Sequence, residues 1–118
     1  MCKLSKQRKV SFKSINHVTS SKFLELLHMD LFGPFDVTSI VGARYVYVIV
    51  DDFSRYTWVR FLKNKSDTFN EFSTLSKRLQ NYKGYFITKI HSDNGTEFAN
   101  DKFEVLCNEI GIQQNFSV

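Results

Sequence analysis

The stretch GYFITKIHSDNGTEF, residues 84–98, joins an apolar run to an acid, a turn and a second acid. Gly84 to Ile90 reads as a strand that finishes at Asp93, turns through Asn94-Gly95, and sets down Glu97 and Phe98 beyond the turn. A second stretch repeats the pattern. FLELLHMD, residues 23–30, is nearly continuously apolar, ends in His-x-Asp, and is followed by Gly33-Pro34. Whether two such strand ends make one site depends on whether the fold sets them side by side.

The chain between them supplies the answer. A first strand is expected over about residues 23–31, buried on both faces. RYVYVIVD, residues 44–51, is dense in β-branched and aromatic residues, and YTWVRFL, residues 56–62, returns after the short connection Asp51 to Arg55. Short loops make these three strands an antiparallel meander. Phe69, Phe72, Leu75, Leu79 and Tyr82 then fall at helical spacing, with Ser66 as expected N-cap and Gly84 beyond the end. A second helical stripe, Phe103, Leu106, Cys107 and Ile110, follows the strand that ends at Asp93. Asp101 with Glu104 resembles a capping box there, and Gly111 suits the position after the helix. Residues 112–118 read as a last strand. The order is β-β-β-α-β-α-β, an α/β fold with a mixed five-stranded sheet.

In that order the first strand is central and the strand after the first helix lies parallel beside it. Asp30 and Asp93 then share one sheet edge. Two carboxylates so placed repel unless a cation sits between them, and Mg²⁺ suits an oxygen-only donor pair. Asp51 and Asp52 end a strand that runs the other way, so they read as hairpin residues at the opposite edge. His28 and His91, two residues before each Asp, share its face and read as packed or hydrogen-bonded side chains.

Composition sets the outer bounds. With 118 residues, 42% hydrophobic, and twelve Phe, the chain has material for one core. No apolar run approaches the roughly 18 residues of a membrane span, and the basic N-terminus has no apolar segment of a secretory signal behind it. Two cysteines are too few for a disulfide framework, which points to an intracellular, non-secreted protein. Residues 1–24 hold six cations and no acid, whereas the rest has ten cations against twelve acids. The reading is a basic arm over 1–21 joined to a domain over 22–118, with Lys3, Lys6, Arg8, Lys9 and Lys13 as candidate contacts to nucleic-acid phosphates.

Three linked segments carry a family resemblance: His28-Met29-Asp30-Leu31-Phe32-Gly33-Pro34, then Val50-Asp51-Asp52-Phe53-Ser54-Arg55-Tyr56-Thr57-Trp58, then Ser92-Asp93-Asn94-Gly95-Thr96-Glu97-Phe98. Together they resemble the catalytic core of retroviral-type integrases, specifically those of copia-type plant retrotransposons. The resemblance implies an RNase H-like fold. It also implies a metal-dependent polynucleotidyl transferase that joins element DNA to target DNA, in the nucleus, by a self-associating protein with no membrane or small-molecule partner. Asp30 and Asp93 correspond to the family's first two catalytic aspartates, each a ligand of a two-metal Mg²⁺ or Mn²⁺ site. Cys2-Lys3-Leu4-Ser5-Lys6 resembles the end of the family's zinc module, which one cysteine cannot rebuild. The family's third carboxylate, a later Glu, has no counterpart, since Asp101 and Glu104 read as capping residues and Glu109 as exposed. The expectation is therefore a core lacking its C-terminal helices, inactive by itself, with apolar strands one, four and five left uncovered. A non-catalytic nucleic-acid-binding module and a retrotransposon relic are the alternatives.

Overall fold

The β-branched and aromatic run after Arg44 does form the firmest strand. In the computed structural model, which describes residues 18–35, 42–81 and 84–117, β2 spans Tyr45–Asp51 between β1 (Leu26–Phe32) and β3 (Thr57–Leu62). Both pairings are antiparallel, with Asp30 opposite Val48 and Val48 opposite Val59. Helix α1 (Thr68–Leu79), strand β4 (Lys89–Ser92), helix α2 (Asp101–Ile110) and strand β5 (Gln113–Phe116) complete the order. β4 returns parallel to β1, and β5 parallel to β4, so the sheet runs β3-β2-β1-β4-β5 with β1 at its centre.

The two helices bury the predicted stripes against one face of the sheet. Phe72, Leu75 and Leu79 of α1 and Phe103, Leu106 and Cys107 of α2 join Leu27, Met29, Tyr47, Ile49 and Ile90 in one core. Tyr82, the last residue of the expected first stripe, lies outside the described residues. Aromatic rings fill the centre: Phe103 sits 5.4 Å from both Phe69 and Phe72, and 6.0 Å from Phe98, which in turn faces Tyr47. Cys107 is closed into this layer, and burial pushes its thiol up to about 11.

Several expectations shift at the element ends. β1 starts at Leu26, because Leu24 takes a left-handed φ of 71° and donates its amide to Asp51 Oδ1 at 2.8 Å. Its burial alternates, with Leu27 and Met29 closed off and His28 and Asp30 half-buried, so it is not dry on both faces. Residues 84–88 are not strand. β4 begins only at Lys89, level with Leu26, where β1 first offers a partner. Ser66 does not cap α1. Asp67 instead accepts from the Asn64 amide at 3.1 Å and closes a 3₁₀ turn over Lys65–Asp67 ahead of the helix. At α2 the cap is Asn100, whose Oδ1 accepts from Phe103 N at 3.0 Å, with Asp101 and Glu104 in the first turn. Gly111 does end that helix in the left-handed region, at φ 78°.

The opposite face differs from the expectation of uncovered apolar strands. Along β4 and β5 it carries Lys89, His91, Gln113 and Asn115, which need no apolar cover. Phe32, Val48 and Val50 form a small second cluster there, exposed apolar side chains include Val59 and Phe61 on β3, an outermost strand, and Phe116 of β5 is exposed as well. Among the described residues no helix is long and apolar enough to cross a membrane.

The ring cluster yields a direct test. Phe103→Ala empties a site with no exposed surface, bordered by three other rings, and should cost about 3–5 kcal/mol in a urea unfolding titration. A loss below about 1 kcal/mol would mean that α2 does not close the core as described.

Candidate functional site

The His-x-Asp repeats meet through the short parallel ladder. β1 and β4 pair at Leu26–Lys89, Leu27–Ile90 and His28–His91. Asp30 and Asp93 lie two residues further along each strand, with the same sequence offset as the histidine pair. Both therefore follow the last ladder pair, His28–His91, toward the C-terminal ends of the two parallel strands. Asp30 is half-buried within β1, and its Oδ1 accepts from Leu31 N at 3.0 Å. Asp93 is exposed one residue past the end of β4, where its Oδ1 accepts from Gly95 N at 2.9 Å. That bond is an Asx turn, and it explains why Asn94-Gly95 follows the acid.

Below the carboxylates the two imidazoles touch. His28 Nδ1 lies 3.4 Å from His91 Nδ1, with the rings nearly perpendicular at 84°. His28 Nε2 donates to Asp52 Oδ1 at 2.9 Å. Both histidines are thus hydrogen-bonded side chains on the face of the sheet that carries Asp30. Burial, and then the neighbouring His28, lower the pKa of His91 below the usual histidine value.

Asp51 and Asp52 lie at the opposite edge, as their strand direction requires, but they do far more than shape a hairpin. Asp51 Oδ2 accepts from Ser54 N and Ser54 Oγ, both at 2.7 Å, while its Oδ1 holds Leu24 N. Asp52 Oδ2 accepts from Thr19 N at 2.9 Å, Ser20 N at 2.9 Å and Ser20 Oγ at 2.7 Å. Arg55, in the left-handed region at φ 66°, places a guanidinium nitrogen 3.7 Å from Asp52 Oδ1. Burial works against charge on Asp52, but the Ser20 hydroxyl, His28 and the Ser20 and Thr19 amides outweigh it and hold the carboxyl well below the usual range. Thr19 and Ser20, assigned by composition to the arm, are therefore tied to the sheet. The available signal was the doublet itself: two adjacent acids closing an apolar strand need many donors if they are buried.

Beyond Asp93, Phe98 is buried in the core, and the Glu97 side chain is 8% exposed, with its Oε1 3.6 Å from Lys65 Nζ. A Cβ at Gly95 would come within 2.7 Å of both Glu97 carboxylate oxygens, so a larger residue there would displace that side chain. Lys3, Lys6, Arg8, Lys9 and Lys13, and the Cys2 segment, lie outside the described residues.

Asp30 and Asp93 offer hard oxygen donors. Such a pair fits Mg²⁺ or Mn²⁺, ions that take remaining ligands from water and substrate phosphate. No group of three or more His, Cys, Asp or Glu side chains among the described residues is placed to hold a metal by itself.

Residues 21–118 match the model of the integrase core domain, and the chain belongs to that family. The family implies an RNase H-like α/β fold, with which the five-stranded sheet and two helices are compatible, and its members generally depend on divalent metal and bind DNA. The chain is 32% identical over 117 residues to the retrovirus-related Pol polyprotein from transposon TNT 1-94 of Nicotiana tabacum, an alignment covering 99% of this chain. It is also 37% and 36% identical, over 83% of its length, to the retrovirus-related Pol polyproteins from transposons RE2 and RE1 of Arabidopsis thaliana. It spans 9%, 7% and 6% of those three polyproteins respectively.

The Asp52 cluster has a pH signature. A carboxyl whose folded pKa is depressed contributes stability in full above its unfolded value, near 3.9, and loses it as pH falls through the folded value. Asp52→Asn should therefore cost about 2 kcal/mol at pH 7. The gap to the parent chain should close as the pH drops below about 4. Urea titrations from pH 7 to pH 2 read both quantities, and a gap that stays constant would contradict the network.

Proposed function

We propose that this chain is the catalytic core of a retrotransposon integrase of the copia type, a metal-dependent polynucleotidyl transferase that joins element DNA ends to target DNA. The observation that carries the reading is the parallel β1–β4 ladder, whose last pair, His28–His91, lies two residues before each aspartate. Asp30 and Asp93 are the metal ligands and the catalytic carboxylates. A divalent cation held there, Mg²⁺ or Mn²⁺, supplies charge to the reacting phosphodiester and activates the attacking oxygen. Asp30 belongs to the central strand and pairs there with Val48 of β2, which restrains its backbone; it is suited to serve two ions. Asp93 is exposed and its Oδ1 is held by the Gly95 amide. DNA is the macromolecular partner, and the whole protein self-associates and acts in the nucleus. Two carboxylates fall short of the family's three, so the 118-residue chain alone should show no strand transfer.

Metal binding tests the assignment without catalysis. Free Mn²⁺ followed by electron paramagnetic resonance should fall on titration with the chain, and Asp30→Asn or Asp93→Asn should weaken that binding at least about tenfold. Unchanged affinity in both variants would sink the assignment.

A second reading, a non-catalytic nucleic-acid-binding module, is favoured by one observation, the six cations and no acids of residues 1–24. Deleting residues 1–21 would also remove the Thr19 and Ser20 donors to Asp52, so charge substitution is the cleaner experiment. Replacing Lys3, Lys6, Arg8, Lys9 and Lys13 with Gln should weaken DNA binding and flatten the slope of log K against log salt by as much as about 4. An unaltered slope would remove the arm from the interface.

A further inference from the structure

The β1–β4 ladder ends where the candidate site begins. Its last paired residues are His28 and His91, and β4 itself stops at Ser92. No ladder pair therefore fixes Asp93 relative to Asp30. Directly beneath them the two strands touch through the imidazole pair, with 3.4 Å between the two Nδ1 atoms.

That pair is itself held from below. His28 Nε2 donates to Asp52, a carboxylate only 1% exposed and fixed by Thr19, Ser20 and the backbone of β1 through Asp52 N to Leu26 O at 2.9 Å. With Nε2 spent on Asp52, Nδ1 is the ring nitrogen of His28 left for β4. A ring with one nitrogen on an anchored carboxylate is restrained in rotation, as in the carboxylate–histidine pairs that orient metal ligands. Three separate strands thus contribute to one line: the end of β2, the middle of β1 and the end of β4.

We infer that the chain Asp52–His28–His91 is a cross-strand tie that sets the separation of Asp30 and Asp93, making His28 and His91 positioning residues for the divalent cation. The inference rests on the metal-ligand reading of the two aspartates. It accounts for both histidines of the repeated His-x-Asp pattern, since the histidines join the strands and the acids two residues on inherit the spacing. His91 acts through geometry and touches neither ion nor DNA.

Two substitutions separate this role from packing. His91→Phe keeps the ring's bulk without the nitrogen, whereas His91→Asn returns a hydrogen-bonding atom close to the Nδ1 position. Mn²⁺ affinity by electron paramagnetic resonance and the thermal midpoint are measured for both in the full 118-residue chain. The expected result is a loss of affinity of about tenfold in His91→Phe with a near-parental midpoint, and recovery to within about threefold in His91→Asn. Parental affinity in His91→Phe overturns the tie while leaving the ligand assignment intact. Equal losses in both variants that follow a fall in midpoint overturn it too, in favour of packing. A parental chain whose Mn²⁺ binding ignores Asp30→Asn overturns both readings together.

Discussion

Parallel pairing of β4 with β1 is the constraint from which the rest of this structure follows. Parallel strands cannot be joined by a tight turn, so the chain must leave the sheet, cross a face and return. The crossing element is α1, and its apolar stripe is what the helix-side core is built around. The same pairing makes both strands end at one edge, so whatever follows each of them is brought together. Antiparallel β2 sends its own terminal acids to the other edge. The direction of each strand therefore sorts four aspartates into two groups before any side chain is considered.

Those groups differ in how their charge is balanced. Asp51 and Asp52 are dry and surrounded by donors from backbone, serine, histidine and arginine. A carboxylate so saturated is a fastener, because moving it would strand several polar groups. Asp93 is exposed and draws one backbone amide within its own turn. An exposed carboxylate of this kind keeps most of its contacts with water rather than with protein donors.

Periodicity made the element order legible, and for physical reasons. β-branched and aromatic density marked β2, a short connection marked β3, and the spacing of Phe72, Leu75 and Leu79 or of Phe103, Leu106 and Cys107 marked the helices, because that spacing records one buried face. The parallel pairing of β1 with β4 was likewise implied by strand order and direction. What escaped was decided by partners distant in sequence. Gly84 to Thr88 has strand-like composition, yet β1 begins too late to pair with it. Asn100 was overlooked as a cap beside the more conspicuous Asp101 and Glu104, although asparagine is among the best residues for that position. The Asp52 cluster draws on Thr19, Ser20 and His28, and although the acid doublet signals a need for donors, the donors themselves lie more than twenty residues away in sequence.

The sealed position of Cys107 has a consequence of another kind. Thiol reagents attack the thiolate at an accessible sulfur, and this residue lies 1% exposed with its acidity suppressed. Alkylation there must wait until α2 lifts from the sheet. The rate at which Cys107 becomes modifiable is thus a native clock for that opening, readable by mass on the unlabelled wild-type chain, and it reports on the helix that directly follows the Asp93 turn.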